Sequence, residues 1–217
     1  KKNEGLMKSI RGSLLGAFAI LVVGVSGPVS VLAGGGKSPE AVVAIFQDSL
    51  VNAMKVADSL TISQRFEKLE PTLDMAFHFQ IMTQIAVGKH WSTTDHASRL
   101  KATQSFRRLS ISTLATLFDG YSGEFFEHQR NMPGPSKTIL VMTDLVKSDK
   151  KRIEIVYVTR KFKDVWRIMD VVLDGGISEL KVKRSEYHQI LKNEGVIGLI
   201  DLLDNKSNEL LYEKTAL

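Results

Sequence analysis

Cysteine is absent from all 217 residues. That excludes a disulfide framework, thiolate metal ligands, a cysteine nucleophile and a lipid-modified cysteine anchor. Glycine-rich phosphate loops, serine elbows and zinc signatures are missing as well. The five histidines, His78, His90, His96, His128 and His188, fall in no metal-ligand or nucleophile spacing, and their ordinary reading is structural or surface. Excess charge of one sign is also scarce. The formal charge of +5 and the pI near 9.3 owe much to Lys1, Lys2, Lys8 and Arg11, set against Glu4. Beyond residue 33 there remain 25 basic and 23 acidic residues, a net of +2 with no basic run interleaved with aromatics. Nothing in this balance points to nucleic acid.

What is present is apolar. With 43% hydrophobic residues the chain can bury a substantial core without disulfides or metal. Lys8 and Arg11 precede the apolar run Leu14 to Val25, Gly27-Pro28 breaks any helix there, and Val31-Leu32-Ala33 offers a signal-peptidase site. Residues 1–33 are therefore expected to be a signal peptide cleaved near Ala33, so that the mature chain is exported. Met7 reads as the natural start and residues 1–6 as an extension. A retained anchor over Ser13 to Ala33 is the alternative, since ~20 apolar residues span a bilayer. Residues 34–37 read as a flexible leader, 38–211 as the folded domain and 212–217 as a tail.

Ser38-Pro39-Glu40 starts a helix carrying Val42, Val43, Ile45, Phe46, Leu50, Val51 and Met54. A second opens at Thr61 or Ser63 and runs through Phe66, Leu69, Leu73 and Phe77, with Pro71 expected to kink or split it. Phe79 to Val87 is a short helix closed by Gly88. Ser92 to Asp95 caps a long one with Leu100, Phe106, Leu109, Leu114, Leu117 and Phe118 at helical spacing. The period then becomes extended. Glu124 to Arg130, Thr138 to Val146, Arg152 to Arg160 and Val165 to Leu173 read as four strands of an antiparallel meander. In the last, strict alternation puts Val165, Arg167, Met169, Val171 and Leu173 on one face and Trp166, Ile168, Asp170, Val172 and Asp174 on the other. Helices from Ser178 and from about Gly195 follow. The expected architecture is α+β: a helical N-terminal part, a four-stranded antiparallel sheet and two C-terminal helices, with an apolar cavity between sheet and helices.

Asp170 and Asp174 are candidates for an acid pair. The alternative is that Asp174 sets up the glycine turn and Asp170 pairs with a basic neighbour. Ten phenylalanines and seven methionines supply either a filled core or an open apolar pocket, and composition does not separate the two.

Several segments, in order, resemble the MlaC and toluene-tolerance family of periplasmic lipid-binding carriers. They are Phe79-Gln-Ile-Met82 with Val87-Gly88-Lys-His-Trp91, Phe106-Arg-Arg-Leu109, and Trp166-Arg-Ile-Met-Asp170 leading to Gly175 and Ser178. Asp174-Gly175-Gly176-Ile177-Ser178 is one residue longer than in the better-known phospholipid carriers. With Phe118-Asp-Gly-Tyr-Ser-Gly123 and the Ser178 to Glu186 stretch, it is more similar to the hopanoid-associated branch, HpnM. The resemblance implies a shuttle without covalent chemistry or cofactor. Its ligand would be a phospholipid or hopanoid, and its partners an inner-membrane transporter, of ABC type or a hopanoid exporter, and an outer-membrane complex. On that reading the lipid-binding residues are Phe46, Phe77, Met82, Val141, Ile155, Tyr157, Met169, Val171 and Tyr187, taken from inward alternation on strands and facing helical sides. Lys181, Lys183 and Arg184 would meet head groups or an acidic partner, or form a solvated helix face. A small α+β enzyme acting on an apolar substrate and an envelope assembly factor without lipid are the competing readings.

Overall fold

A computed structural model describes residues 36–173 and 175–212. The expected signal peptide, the first two residues of the leader, Asp174 and residues 213–217 of the tail lie outside the described residues. Pro39 opens α1 (Pro39–Met54), whose Ser38 cap accepts the Ala41 N–H at 3.1 Å. Its buried stripe is Val42, Val43, Phe46, Gln47, Leu50, Ala53 and Met54, at the spacing one helix face requires. Thr61 caps α2 (Ile62–Ala76) and Gln64 closes a capping box. The expected break at Pro71 does not occur. Pro71 and Glu67 both lie on the exposed side, where the carbonyl freed by the missing N–H can turn to water. Helix α3 (Phe79–Val87) ends at Gly88, and α4 (His96–Leu117) begins at Asp95, which accepts the Ser98 N–H at 2.9 Å. Leu100, expected on the apolar stripe of α4, is 52% exposed. That helix instead buries small residues, Ala102, Ser105, Ser112, Ala115 and Thr116, alongside Phe106, Leu109 and Ile111.

The sheet has five strands where four were expected. They are β1 (Phe125–Pro133), β2 (Thr138–Val146), β3 (Arg152–Phe162), β4 (Val165–Leu173) and β5 (Ile177–Ser178), paired antiparallel in chain order. The fifth comes from the glycine turn. Gly175 and Gly176 both take positive φ, 81° and 78°, reversing the chain so tightly that Ile177 pairs with Leu173 and Ser178 with Val172. Strict alternation along β4 also fails. Register passes from Val158↔Asp170 to Thr159↔Ile168, leaving Met169 as an unpaired bulge. The bulge switches faces, so Trp166 and Ile168 before it and Val171 and Leu173 after it all join the core.

Among the described residues α1, α2, α3 and the last helix pack against one face of this sheet, and α4 packs against other helices. That inner face comprises Val141, Thr143 and Leu145 of β2, Ile153, Ile155, Tyr157 and Thr159 of β3, and the inward residues of β4. The α2–α3 corner is pinned to β4 by a parallel bridge between Phe77 and Ile168, with the His78 N–H donating to the Ile168 carbonyl at 2.9 Å. The last helix, α5 (Glu179–Tyr212), is two arms meeting at Gly195, whose φ of 67° and ψ of −161° no helix contains. The two closing helices expected from sequence are these arms. None of the described helices is long and apolar enough to cross a membrane.

Candidate functional site

The interior between α1 and the sheet is where the candidate residues converge. Phe46 stands edge-on to Phe77 at 4.8 Å and to Tyr157 at 6.0 Å, while Phe77 stacks on Phe79 at 5.7 Å. Such aromatic pairs contribute about 0.5–1.5 kcal/mol beyond area burial. Phe46, Phe77, Met82, Val141, Ile155, Tyr157 and Tyr187 all belong to one core cluster, with Val171 half-buried against it. Met169 is buried but outside that cluster, because the bulge takes it out of the inward register. Eight of the nine residues thus pack in one apolar body, and Met169 is buried apart from it. A cavity of about 20 Å³ lies toward one end, lined by Met54, Leu117, Phe118, Gly120, Glu124, Leu145 and Lys147, none of them among the nine.

Two polar features sit inside the apolar interior. Gln47 is buried on the α1 stripe, and its Nε2 donates to Thr143 Oγ1 at 3.0 Å and to the Tyr157 hydroxyl at 3.3 Å. Thr143 in turn donates to the Ile155 carbonyl at 3.1 Å. Burial pushes the Tyr157 phenol well above its ordinary pKa, with the Gln47 bond opposing in part. Sequence reasoning did not single out Gln47 or Thr143. The available signal was a glutamine at an inward helical position between Val43 and Leu50. The second feature is the Tyr187 hydroxyl, buried without a hydrogen-bond partner among the described residues. An orphan of this kind costs about 1–3 kcal/mol. Burial, and secondarily the Glu186 charge, push its pKa up as well.

Asp170 has a structural role, and the pairing with Asp174 lies outside the described residues. The Asp170 Oδ2 accepts the Ser178 hydroxyl at 2.6 Å, and its Oδ1 accepts the N–H groups of Val171 at 2.8 Å and Leu180 at 3.2 Å. The partners are a hydroxyl and two amides where a basic side chain was expected, and they fasten the start of α5. Asp174 lies outside the described residues. His78 caps α3 through Nδ1, which accepts the Ile81 N–H at 3.4 Å, and its ring lies 4.3 Å from that of Phe162. Burial depresses its pKa, and the nearby Arg167 charge adds to that, against its own backbone hydrogen bond. No group of three or more potential ligands is placed to hold a metal among the described residues. On α5, Lys183 pairs with Glu186 at 3.0 Å, and the Arg184 guanidinium lies against Gly88.

An antiparallel sheet roofed on one face by helices around an aromatic interior defines an α+β protein of the binding type. The MlaC protein family model matches residues 46–205, and the chain belongs to that family. The phospholipid-binding protein from Ralstonia solanacearum, solved in complex with a phospholipid, has the same fold at a TM-score of 0.70. The likeness covers 82% of this chain and 99% of that one at 18% identity. A search of curated proteins gave no match.

Proposed function

We propose that this protein is a periplasmic lipid carrier, exported by its N-terminal signal, which takes a membrane lipid from one membrane-bound complex and delivers it to another. The observation that carries the reading is membership of the MlaC family together with a fold shared along nearly the whole of a protein solved with a phospholipid. The interior supports it physically. Buried acyl chains gain ~0.8 kcal/mol per CH₂, so a lining of Phe46, Phe77, Met82, Val141 and Ile155 holds a lipid without special chemistry. Phe46, Phe77 and Phe79 pack ring against ring there, and loading exchanges some of these contacts for contacts with the lipid. The Tyr187 hydroxyl then gains an acceptor.

The cargo is a phospholipid or a hopanoid. The extended Gly175-Gly176 turn supports the hopanoid-associated branch, whose rigid polycyclic ligand needs a wider opening than two flexible tails. The implied partners are an inner-membrane transporter, of ABC type or a hopanoid exporter, and an outer-membrane complex. Native mass spectrometry of the protein purified from the cells that make it tests the reading. One lipid adduct per chain is expected, its mass distinguishing the two cargoes. Protein that carries no adduct and extracts neither lipid from vesicles would refute it.

A further inference from the structure

The sheet face turned away from the helices carries an ordered pattern that the lipid reading does not use. On β3 its residues are Arg152, Glu154, Val156, Val158, Arg160 and Phe162. Register extends each into a row. Glu154 pairs with Asp144, and Asp144 with Glu127; Val156 lies between Met142, itself opposite Arg130, and Val172; Val158 lies between Leu140 and Asp170; Arg160 lies between Thr138 and Arg167. An acidic row and an arginine row therefore flank, at equal distances, two rows that are apolar in the middle of the sheet and end in Arg130 and in Asp170, whose carboxylate is taken up by Ser178 and Leu180. Leu140, Met142, Val156, Val158 and Val172 are only half-buried and stand outside the core cluster. A solvated sheet face ordinarily carries polar residues there, and like charges placed directly opposite each other are unfavourable. Arg152 offsets part of the acidic row through ion pairs with Glu127 and Asp144. Arg167 reaches the Asp74 and Met75 carbonyls at the end of α2.

We propose that this outer face is a self-association surface whose occupant is a second copy of the same chain. A two-fold axis lying in the interface and crossing the strands between the two apolar rows lays each β3 antiparallel over its counterpart. Val156 then faces the partner's Val158, and Glu154 faces the partner's Arg160, each pair occurring twice as an isologous contact requires. An axis along the strands would instead stack acid on acid, so the charges select one orientation. With strands ~4.8 Å apart and ~6.8 Å per two residues, the face offers roughly 600 Å² of projected area. A standard interface uses about 800 Å² per partner, so the dimer is a reversible one. Packed sheets keep their strand directions within ~30° of each other, which the flat apolar centre accommodates.

Sedimentation velocity of the full-length protein from low to high micromolar concentration tests this. A monomer–dimer equilibrium is expected, weakened by added salt. Val158→Lys and Arg160→Glu should each raise the dimer Kd by at least ~10-fold, while the exchange Glu154→Arg with Arg160→Glu should restore it to within ~3-fold. Circular dichroism and melting curves establish that each variant folds, and the exchange variant, which alters the exposed Glu154 and the half-buried Arg160, keeps the test open if Val158→Lys does not. A monomer at every concentration overturns the proposal. So does a dimer indifferent to these changes, or one that the charge exchange fails to restore. Cross-links showing residues 1–35 of the same chain seated on this face would overturn it equally.

Discussion

Asp170 Oδ2 accepts the Ser178 hydroxyl at 2.6 Å, joining the last full strand of the sheet to the first turn of α5 across the double-glycine reversal. Ser178 Oγ in turn accepts the Lys181 N–H at 3.1 Å, and Asp170 Oδ1 accepts that of Leu180. One carboxylate and one hydroxyl thus satisfy donors that the helix start would otherwise leave bare. This arrangement decides between two roles for the aspartate. Asp170→Asn should lower stability by about 1–3 kcal/mol in urea unfolding, because hydrogen bonds to a charged acceptor are lost. Lipid stoichiometry in native mass spectrometry should be unchanged. Loss of turnover on an apolar substrate with intact stability would instead restore the enzyme reading.

Arg65 is 7% exposed, and its guanidinium donates to three backbone carbonyls, those of Ala57, Leu60 and Ala115. Burial lowers its pKa, with the charges of Asp119 and Asp58 opposing. Arg65→Met removes all three of these bonds at the junction of α2 with the end of α4, where the Ala57 carbonyl keeps a second donor, the Leu60 N–H at 3.1 Å. A loss of about 3 kcal/mol is expected. At ~2–4 °C per kcal/mol for a chain of this size, Tm should fall by roughly 6–12 °C in calorimetry. Arg65→Lys should recover little, since one ammonium cannot reproduce the planar fork.

His78 gives a pH dependence with a definite sign. Its folded pKa lies below the ordinary 6.5, burial being the first cause. The unfolded chain therefore binds the proton more readily than the folded one. The stabilisation is complete above 6.5 and is lost as pH falls through that value toward the lower folded pKa. His78→Asn keeps a side-chain acceptor at the α3 cap and carries no titrating group. Melting temperature plotted against pH just below 6.5 should be flatter for this variant than for the wild type. Parallel curves would show that His78 does not contribute.

Phe77 sits where the aromatic cluster meets the sheet, between Phe46 and Phe79 and bridged to Ile168. Phe77→Ala should cost the lipid-stripped protein about 3–5 kcal/mol, the usual loss for a large aromatic removed from a core. If lipid occupies this interior, added lipid should recover part of that stability in the variant and shift its melting curve more than it shifts the wild type's. Equal shifts would place the ligand elsewhere.

The local chemistry of the chain was legible without coordinates. Ser38-Pro39, Thr61 or Ser63, and Ser92 to Asp95 announced three helix starts because capping depends on residues within a few positions, and the caps taken are Ser38, Thr61 and Asp95. Thr138 to Val146 and Val165 to Leu173 were delimited as strands by alternation and turn residues alone. The helix Phe79–Val87 was equally plain, since an apolar period ended on a glycine. The family resemblance, too, rested on short motifs whose order the sequence displays.

Tertiary structure decided what depends on distant partners. Met169 is a bulge because β3 and β4 must both match the helices beneath them, a condition that no window of β4 contains. Leu100 is exposed while Ser112 is buried, because close helix packing selects small side chains over a regular apolar period. Gln47 acquired its role only when Thr143 and Tyr157, about a hundred residues away along the chain, were brought to its amide. Caps and turns follow from neighbours in sequence, whereas register, packing and buried polar partners follow from neighbours in space, which the chain acquires only on folding.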